Sequence, residues 1–325
     1  MRRRDFTLGL LLASTVRPAR AQERTKQHRI AIVISAGPAA RINDTGTRAW
    51  QAFFAELRRL GDVEGQNLGI ERYSGEGRPE HYADLAREVI SRNPDLIVAI
   101  TPPIAQAFAA ATGTIPIVAS GGYAASQNLA HPGGNVTGIG LDVGFEIYGK
   151  RLQILKEAAP AVSKVAYLSI HTPYDFTPEL RETGRPLGMS VDVMRLQQST
   201  PAEYQRVFAE IAQERPDGIL VSDIGDLIAY RQLIVELVEK NRLPAIYPWR
   251  EYVEAGGLMA YEAAPEELGR RMADDVHEIL NGAKPGDIPI YQPTRFELVV
   301  NLKAAKALRL TIPPALLAFA DEVIE

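Results

Sequence analysis

The sequence has 325 residues, of which 46% are hydrophobic, and its 36 basic and 40 acidic side chains give a net charge of −4. An acidic balance disfavours nucleic-acid binding, because phosphate backbones are bound by basic surfaces. The absence of cysteine excludes disulfides, thiolate metal sites and a lipid-modified cysteine anchor. A chain of this length can bury two cores of ordinary domain size.

Residues 1–21 read as a signal peptide. They combine a basic start at 2–4, a short apolar stretch at 8–16 and the A-x-A cleavage pattern Ala19-Arg20-Ala21. The run Arg3-Arg4-Asp5-Phe6 resembles the twin-arginine export signal, and an ordinary Sec signal with a basic start is the alternative. No other window approaches the roughly 20 apolar residues that a membrane span needs. We therefore expect an exported, soluble, periplasmic protein without a lipid anchor.

Short apolar runs alternate with amphipathic helices in the first half of the mature chain. The predicted elements are strand 29–35, helix 47–60, strand 68–73, helix 79–92, strand 96–100, helix 104–112, strand 115–120 and strand 135–140. Helix 79–92 ends before Asn93-Pro94, because the residue before a proline resists the helical conformation. Strands that alternate with helices indicate a parallel sheet covered on both faces.

The second half shows the same alternation. Its predicted elements are helix 145–158, strand 164–170, strand 188–196, helix 201–214, strand 218–222, helix 227–241, strand 244–249, strand 256–261 and helix 265–280. The tail 288–325 contains an apolar run at 296–300, a short helix and Pro313-Pro314, and spacing does not indicate where this tail docks.

Corresponding elements of the two halves form an internal repeat. The strands that start at 96, 115 and 135 in the first half match those at 218, 244 and 256 in the second, an offset of 121 to 129 residues. Two similar α/β lobes are implied, and the cleft between them is the expected site of function.

Ligands of open parallel sheets bind beyond the carboxyl ends of the strands, where the loops are free and helix N-termini point inward. The candidate ligand-binding residues at these positions are Ser35, Gly37, Thr101, Pro102, Gly121, Gly122, Tyr123, His171, Tyr174, Asp223, Tyr247, Trp249 and Tyr261. Small polar groups and aromatic rings both occur in this set. A ligand with a carboxylate at one end and a flat or apolar body would use both.

Several of these residues have an alternative structural role. Asp223 and Thr101 can each cap the helix that follows, and Tyr247 or Trp249 can belong to the core instead of the cleft wall. His171 is one of five histidines, none of which forms a metal-like cluster with carboxylates, and the glycines of 133–140 lack the G-x-G-x-x-G order of dinucleotide folds. We therefore expect neither a metal nor a cofactor.

The residues match a known family over essentially the whole mature chain. The matching segments are 65–68 (GQNL), 132–138 (PGGNVTG), 149–152 (GKRL), 242–247 (RLPAIY), 250–259 (REYVEAGGLM), 292–294 (QPT), 296–303 (FELVVNLK) and 311–314 (TIPP). Through them the chain resembles the ABC transporter substrate-binding proteins of the tryptophan/tyrosine type. That family implies the type I periplasmic binding protein fold: two doubly wound parallel-sheet lobes joined by three crossovers.

This resemblance also implies how the chain is divided and used. Lobe 1 would comprise 28–142 and 263–291, and lobe 2 would comprise 143–262 and 292–325. The family's ligand-contacting positions correspond to the Thr101-Pro102 loop and to Asp223. The family usually has Gly-x-Asp-Pro-Val at 121–125 and Asn-Pro after the strand at 164–170, and this chain has Gly-Gly-Tyr-Ala-Ala and His-Thr-Pro-Tyr there.

The function expected from these observations is binding without chemistry. A monomeric protein would capture a small carboxylate-bearing solute, an amino acid or an aromatic or organic acid, and deliver it to an ABC permease of the inner membrane. Closure would occur about hinges near 140–143, 260–264 and 290–294. A periplasmic sensor partner of a membrane receptor is one alternative. An exported α/β enzyme is another, but neither G-x-S-x-G nor H-E-x-x-H occurs in the sequence.

Overall fold

The computed structural model describes residues 27–120, 128–140, 146–170 and 177–325. The predicted signal segment lies outside these ranges. No helix within them is long and apolar enough to cross a membrane.

The first half of the chain forms one parallel sheet. Its elements are β1 (His28–Ile34), α1 (Arg48–Leu60), β2 (Leu68–Ser74), α2 (Tyr82–Ser91), β3 (Leu96–Ile100), α3 (Pro102–Ala111), β4 (Ile117–Ser120) and β5 (Val136–Ile139). The strand order is β2-β1-β3-β4-β5. Because side chains alternate along a strand, Ile30 and Ile32 of β1 pack towards α1, whereas Ala31 and Val33 pack towards α2 and α3.

The second half repeats this order and extends it. Its elements are α4 (Glu146–Ala158), β6 (Lys164–Ile170), α5 (Thr177–Gly184), β7 (Ser190–Leu196), α6 (Pro201–Glu214), β8 (Gly218–Val221), α7 (Arg231–Lys240), β9 (Ala245–Tyr247), α8 (Arg250–Glu254), β10 (Met259–Ala263), α9 (Pro265–Leu280), β11 (Phe296–Asn301), α10 (Leu302–Ala307), α11 (Pro314–Phe319) and β12 (Glu322–Ile324). The sheet order is β7-β6-β8-β9-β10-β11-β12. Strands β7-β6-β8-β9-β10 match β2-β1-β3-β4-β5 one for one, so the predicted internal repeat is confirmed.

The second sheet is not wholly parallel. Strand β11 runs antiparallel to β10, with Met259 opposite Val300 and Ala263 opposite Phe296, and β12 is parallel to β11. Helix α9 lies between β10 and β11 in the chain. Strand β11 then pairs with β10 and runs in the opposite direction to it. The C-terminal tail therefore docks as the outer edge of the second sheet.

The chain passes between the two sheets three times. It leaves the first sheet between Gly140 and Glu146, returns to it after β10, and leaves again before β11. Helix α9 packs with α1 on the first sheet, where Met272 and Val276 join the same core as β1. The backbone of Tyr291 then bonds to β5, its N–H donating to the carbonyl of Gly138 at 2.8 Å.

Candidate ligand-binding cleft

The two lobes meet where strands of both sheets end. Gly225, which follows β8, lies so close to the first lobe that an added Cβ would be 2.8 Å from Cγ2 of Thr101 and 3.5 Å from Oγ of Ser35. Thr101 follows β3 and Ser35 follows β1. The structure thus brings together three of the loops that the sequence assigned to one crevice, and the lobes are in contact across it.

Thr101 has an unusual backbone at this contact. Its φ is 85°, in the left-handed region that β-branched residues rarely adopt. Its N–H donates to Ser120 O at 2.9 Å, and its carbonyl accepts from the N–H of Ala105 at 3.0 Å. The Oγ1 atom is buried and has no hydrogen-bond partner among the described residues. Strain of this kind is concentrated at functional sites.

The start of α3 offers fewer backbone donors than a usual helix N-terminus. Pro102 and Pro103 have no N–H, and the N–H of Ala105 is already bonded to Thr101. The first turn therefore offers at most the N–H of Ile104 to a ligand. An anion placed here would depend on that amide and on the Thr101 hydroxyl.

Asp223 is held on the second-lobe side of the crevice by two donors. The hydroxyl of Tyr148 donates to Oδ1 at 2.6 Å, and Nη1 of Arg151 donates to Oδ2 at 3.1 Å. The Asp223 side chain is 32% exposed, whereas that of Arg151 is 2% exposed. The carboxylate therefore reaches the crevice, while both of its partners come from helix α4.

Arg151 links several cleft segments at once. Its Nε donates to the carbonyl of Tyr261 at 3.0 Å, Nη2 reaches the carbonyl of Pro248 at 3.5 Å, and the guanidinium lies 5.6 Å from the ring centroid of Tyr148. One buried cation thus joins α4 to the loops after β8 and β9 and to β10. Burial of charged groups is costly unless they are paired and hydrogen-bonded, and these contacts meet that requirement.

Two phenols beside this cluster stay protonated at neutral pH. Burial, with the charge of Asp223 as the next cause, raises the pKa of Tyr148 well above its ordinary value. The same two causes raise the pKa of Tyr167 to about 12. The two hydroxyls lie 3.5 Å apart, and Tyr148 keeps the proton that it donates to Asp223.

The remaining polar candidates have separate positions. Ser35 is buried, and its carbonyl accepts from the N–H of Gly77 at 2.8 Å and from the hydroxyl of Tyr82 at 3.3 Å. Gly37 is exposed with a φ of 88°. The following candidates lie outside the described residues: Gly121, Gly122, Tyr123, His171 and Tyr174.

The aromatic candidates mostly belong to the core. Tyr247 has no exposed surface, and its ring stacks on Tyr252 with a centroid distance of 4.9 Å. Tyr261 is nearly buried and stacks on Phe296 at 5.6 Å. Trp249 is half-buried, and its ring lies 6.3 Å from that of Tyr252. Of the three, Trp249 is the ring with appreciable surface.

A cavity of 640 Å³ opens between the lobes beside the crevice. The start of α1 and the loop before it face α7 and α8 across this space, and none of the eight candidates that the structure describes lines it. Arg48 and Arg250 in its wall each bond to two carboxylates, those of Glu266 and Glu297 and those of Glu254 and Glu322. No cluster of metal-ligating side chains occurs in the part of the chain that the structure describes.

A family model places the chain among known proteins. The model described as ABC transporter substrate binding protein matches residues 43–324. The chain belongs to this family. It is therefore a substrate-binding protein and not an enzyme, and the expected family is confirmed.

Individual relatives agree with that assignment. A "Tyrosine-binding protein" of Clostridioides difficile (strain R20291) is 24% identical over 276 residues, covering 80% of this chain and 76% of the relative. A crystal structure of a conserved domain protein from Vibrio cholerae has 26% identity and a TM-score of 0.81, covering 92% of this chain and all of that one.

A protein solved together with a bound ligand has a similar fold. The structure of an ABC domain from Streptococcus pneumonia in complex with L-Trp has a TM-score of 0.80 at 21% identity, covering 92% of this chain and all of that one. Together with the two repeated sheets and the three passages between them, this likeness confirms the type I periplasmic binding protein fold.

Arg151 and Tyr148 were not among the residues singled out from the sequence. The signal that could have found them is an arginine inside the apolar stripe of α4, between the buried Ile147 and Leu155 at i+4 steps. A buried arginine needs a carboxylate, and Asp223 at a neighbouring strand end is the acidic side chain that the repeat places nearby.

Proposed function

We propose that this chain is a periplasmic solute-binding protein that captures a small carboxylate-bearing organic solute in the interlobe cleft and delivers it to an ABC permease. The lobes that close on the solute are 28–142 with 263–291 and 143–262 with 292–325. The observation that carries the proposal is that two loops meeting at one crevice, through Gly225 and Thr101, supply a partly exposed carboxylate at Asp223 and a buried Thr101 hydroxyl without a hydrogen-bond partner among the described residues.

The chemistry of the two walls favours a solute with groups of both signs. The Asp223 carboxylate suits an amino or hydroxyl group, and Thr101 with the N–H of Ile104 suits a carboxylate. An aromatic body is supported by the half-buried ring of Trp249 and by the names of the relatives, one tyrosine-binding and one solved with L-Trp.

A thermal-shift screen across amino acids, aromatic acids and short peptides tests the proposal. A ligand at about 100 times its dissociation constant stabilises a protein by roughly 2.7 kcal/mol, which is easily detected. We expect at least one carboxylate-bearing compound to raise the melting temperature and to be recovered unchanged. Conversion of that compound to a product would overturn the proposal, as would a complete absence of hits among carboxylates.

Replacement of Asp223 tests how the solute is held. A hydrogen bond to a charged group contributes roughly 1.5 to 3 kcal/mol, so Asp223→Asn should weaken binding of the screened ligand about tenfold to a hundredfold. Asparagine keeps an acceptor for Tyr148, and Asp84→Asn on the exposed face of α2 is the matched control. Unchanged affinity in folded Asp223→Asn, measured by calorimetry, would leave Asp223 with a purely structural role.

Export and delivery need experiments in cells. The exported protein should begin at Gln22, as determined by mass spectrometry, and changing Arg3-Arg4 to Lys-Lys should stop export if the twin-arginine route is used. Deleting the gene should abolish uptake of the screened ligand. Normal uptake with loss of a transcriptional response would instead favour the sensor function.

A further inference from the structure

We propose that Arg151 determines the charge preference of the cleft: by neutralising Asp223 it makes the site select net-neutral, zwitterionic ligands over cations. This inference rests on the proposed solute-binding function. It follows from the arrangement of one buried cation behind one partly exposed carboxylate.

Arg151 carries a positive charge that bulk water does not reach. Guanidinium groups remain protonated in proteins, and the Arg151 side chain is 2% exposed. Among the described carboxylates, Asp223 is the one with which it forms an ion pair, at 3.1 Å. Its other described hydrogen bonds go to backbone carbonyls, which carry no net charge. The Arg151–Asp223 pair is therefore neutral as a unit.

A ligand's ammonium group at Asp223 also meets the field of Arg151. The carboxylate attracts it, but the guanidinium on the far side of the same carboxylate offsets much of that attraction. A cation enclosed by lobe closure would leave one uncompensated charge in a poorly solvated site, which is unfavourable. A zwitterion brings its own negative group and adds no net charge.

Tyr148 completes the arrangement without adding charge. Its hydroxyl satisfies Oδ1 of Asp223, and its ring faces the guanidinium. Both Asp223 oxygens are thus occupied on the protein side, one by a neutral donor and one by a cation. The remaining lone pairs, on the exposed part of the carboxylate, are those that a ligand can use.

Three probes with one indole body separate this proposal from a structural role. L-tryptophan is a zwitterion, tryptamine a cation and indole-3-propionate an anion at neutral pH. We expect wild-type protein to bind L-tryptophan at least about tenfold more tightly than tryptamine. Arg151→Gln should raise the affinity for tryptamine relative to that for L-tryptophan by about tenfold. Asp223→Asn should raise the affinity for indole-3-propionate relative to that for L-tryptophan. Charge-assisted bonds have this magnitude.

The controls distinguish charge from folding. Arg151→Lys retains the cation and should keep the wild-type ratio, whereas Arg206→Gln removes a positive charge from the exposed face of α6 and should change nothing. Equal loss of affinity for all three probes in Arg151→Gln, or a wild-type preference for tryptamine, would overturn the proposal. If Arg151→Gln does not fold, the double variant Arg151→Gln/Asp223→Asn should fold and restore the preference for the zwitterion.

Failure of the proposed function would look different. If wild-type protein binds none of the three indoles, the expectation of an aromatic ligand is contradicted. The same comparison is then made with the ligand from the thermal-shift screen and its decarboxylated analogue. A selectivity ratio that does not respond to Arg151→Gln there would again contradict the inference.

Discussion

At the scale of single residues, Glu262 is an unusual acid. It is 5% exposed in β10, directly opposite Glu297 of β11, and its Oε1 has no hydrogen-bond partner among the described residues. Burial, with repulsion from Glu251 as the next cause, raises the pKa of Glu262 to about 8, although Arg250 acts in the opposite direction. At neutral pH this carboxyl group is therefore largely protonated in the folded protein.

The raised pKa predicts a pH-dependent stability. Between pH 4.5 and about 8 the folded state holds a proton on Glu262 that the unfolded state has released. The free energy of unfolding should then fall by about 1.4 kcal/mol per pH unit in this window because of this group. The contribution is fully present below pH 4.5 and is lost above about pH 8.

Glu262→Gln removes this proton exchange while keeping the size of the side chain. Urea unfolding at a series of pH values should show a shallower decline for the variant than for wild-type protein, with the two curves diverging towards alkaline pH. Parallel curves would contradict a raised pKa at Glu262. Glu80→Gln, on the surface of the first lobe, serves as the control.

At the scale of elements, α1 and α9 approach each other closely at Gly269. A Cβ there would lie 2.1 Å from the carbonyl oxygen of Ala49 and 3.0 Å from the backbone nitrogen of Phe53. Backbone atoms cannot yield as a flexible side chain can, so the helices would have to separate. This glycine therefore sets the distance between the two helices.

Gly269→Ala should destabilise the protein by about 1 to 3 kcal/mol or more, the usual cost of overpacking. The melting temperature measures this effect. Gly113→Ala is the matched control, because a Cβ there meets nothing within 4 Å. A melting temperature of Gly269→Ala equal to that of the control would show that the helices accommodate the methyl group.

Sequence patterns predicted some elements closely for a physical reason. Helices Pro201–Glu214 and Pro265–Leu280 have the predicted ends, because proline marks the first turn and the apolar spacing is regular. The predicted helix 227–241 is instead a 3-10 helix, Gly225–Tyr230, followed by α7. Helices α5 and α8 were missed, since the first is mostly polar and the second has five residues, too few to show a period.

The candidate site was predictable only in part. Thr101 and Asp223 follow strand ends, and strand ends are visible in the sequence. The direction of a ring is not, so Tyr247 could not be assigned to the core before its stacking partner Tyr252 was known. Arg151 acts through segments about 70 to 110 positions away along the chain, and local patterns do not report such contacts.

At the scale of the whole molecule, the lobes are held together across the crevice. Arg48 of α1 donates to Glu297 of β11 at 2.9 Å and also pairs with Glu266 at the start of α9. Gly225 lies against Thr101. The Arg48–Glu297 and Gly225–Thr101 contacts span the lobes, and both would change if the lobes rotated about the three crossovers.

Gly225→Val should prevent full closure, because its side chain would occupy the space of the Thr101 methyl group. Solution scattering with the screened ligand should give a larger radius of gyration for this variant than for wild-type protein, and affinity should fall. Gly113→Val, which projects into open space, is the control. Identical scattering of wild-type protein and Gly225→Val at saturating ligand would contradict closure at this contact.

The packing of α9 on α1 has a consequence for how the polypeptide acquires its structure during synthesis. The ion pair between these helices joins residues 218 positions apart, so the first lobe cannot complete its core until most of the chain has been made. Until then the core that contains Phe53 and Leu57 of α1 lacks the part supplied by Met272 and Val276 of α9. Contacts of such long range slow folding and prolong the exposure of aggregation-prone surfaces. The lobe that is translated first therefore completes its core late. Chaperones that bind nascent chains should recognise the α1 segment.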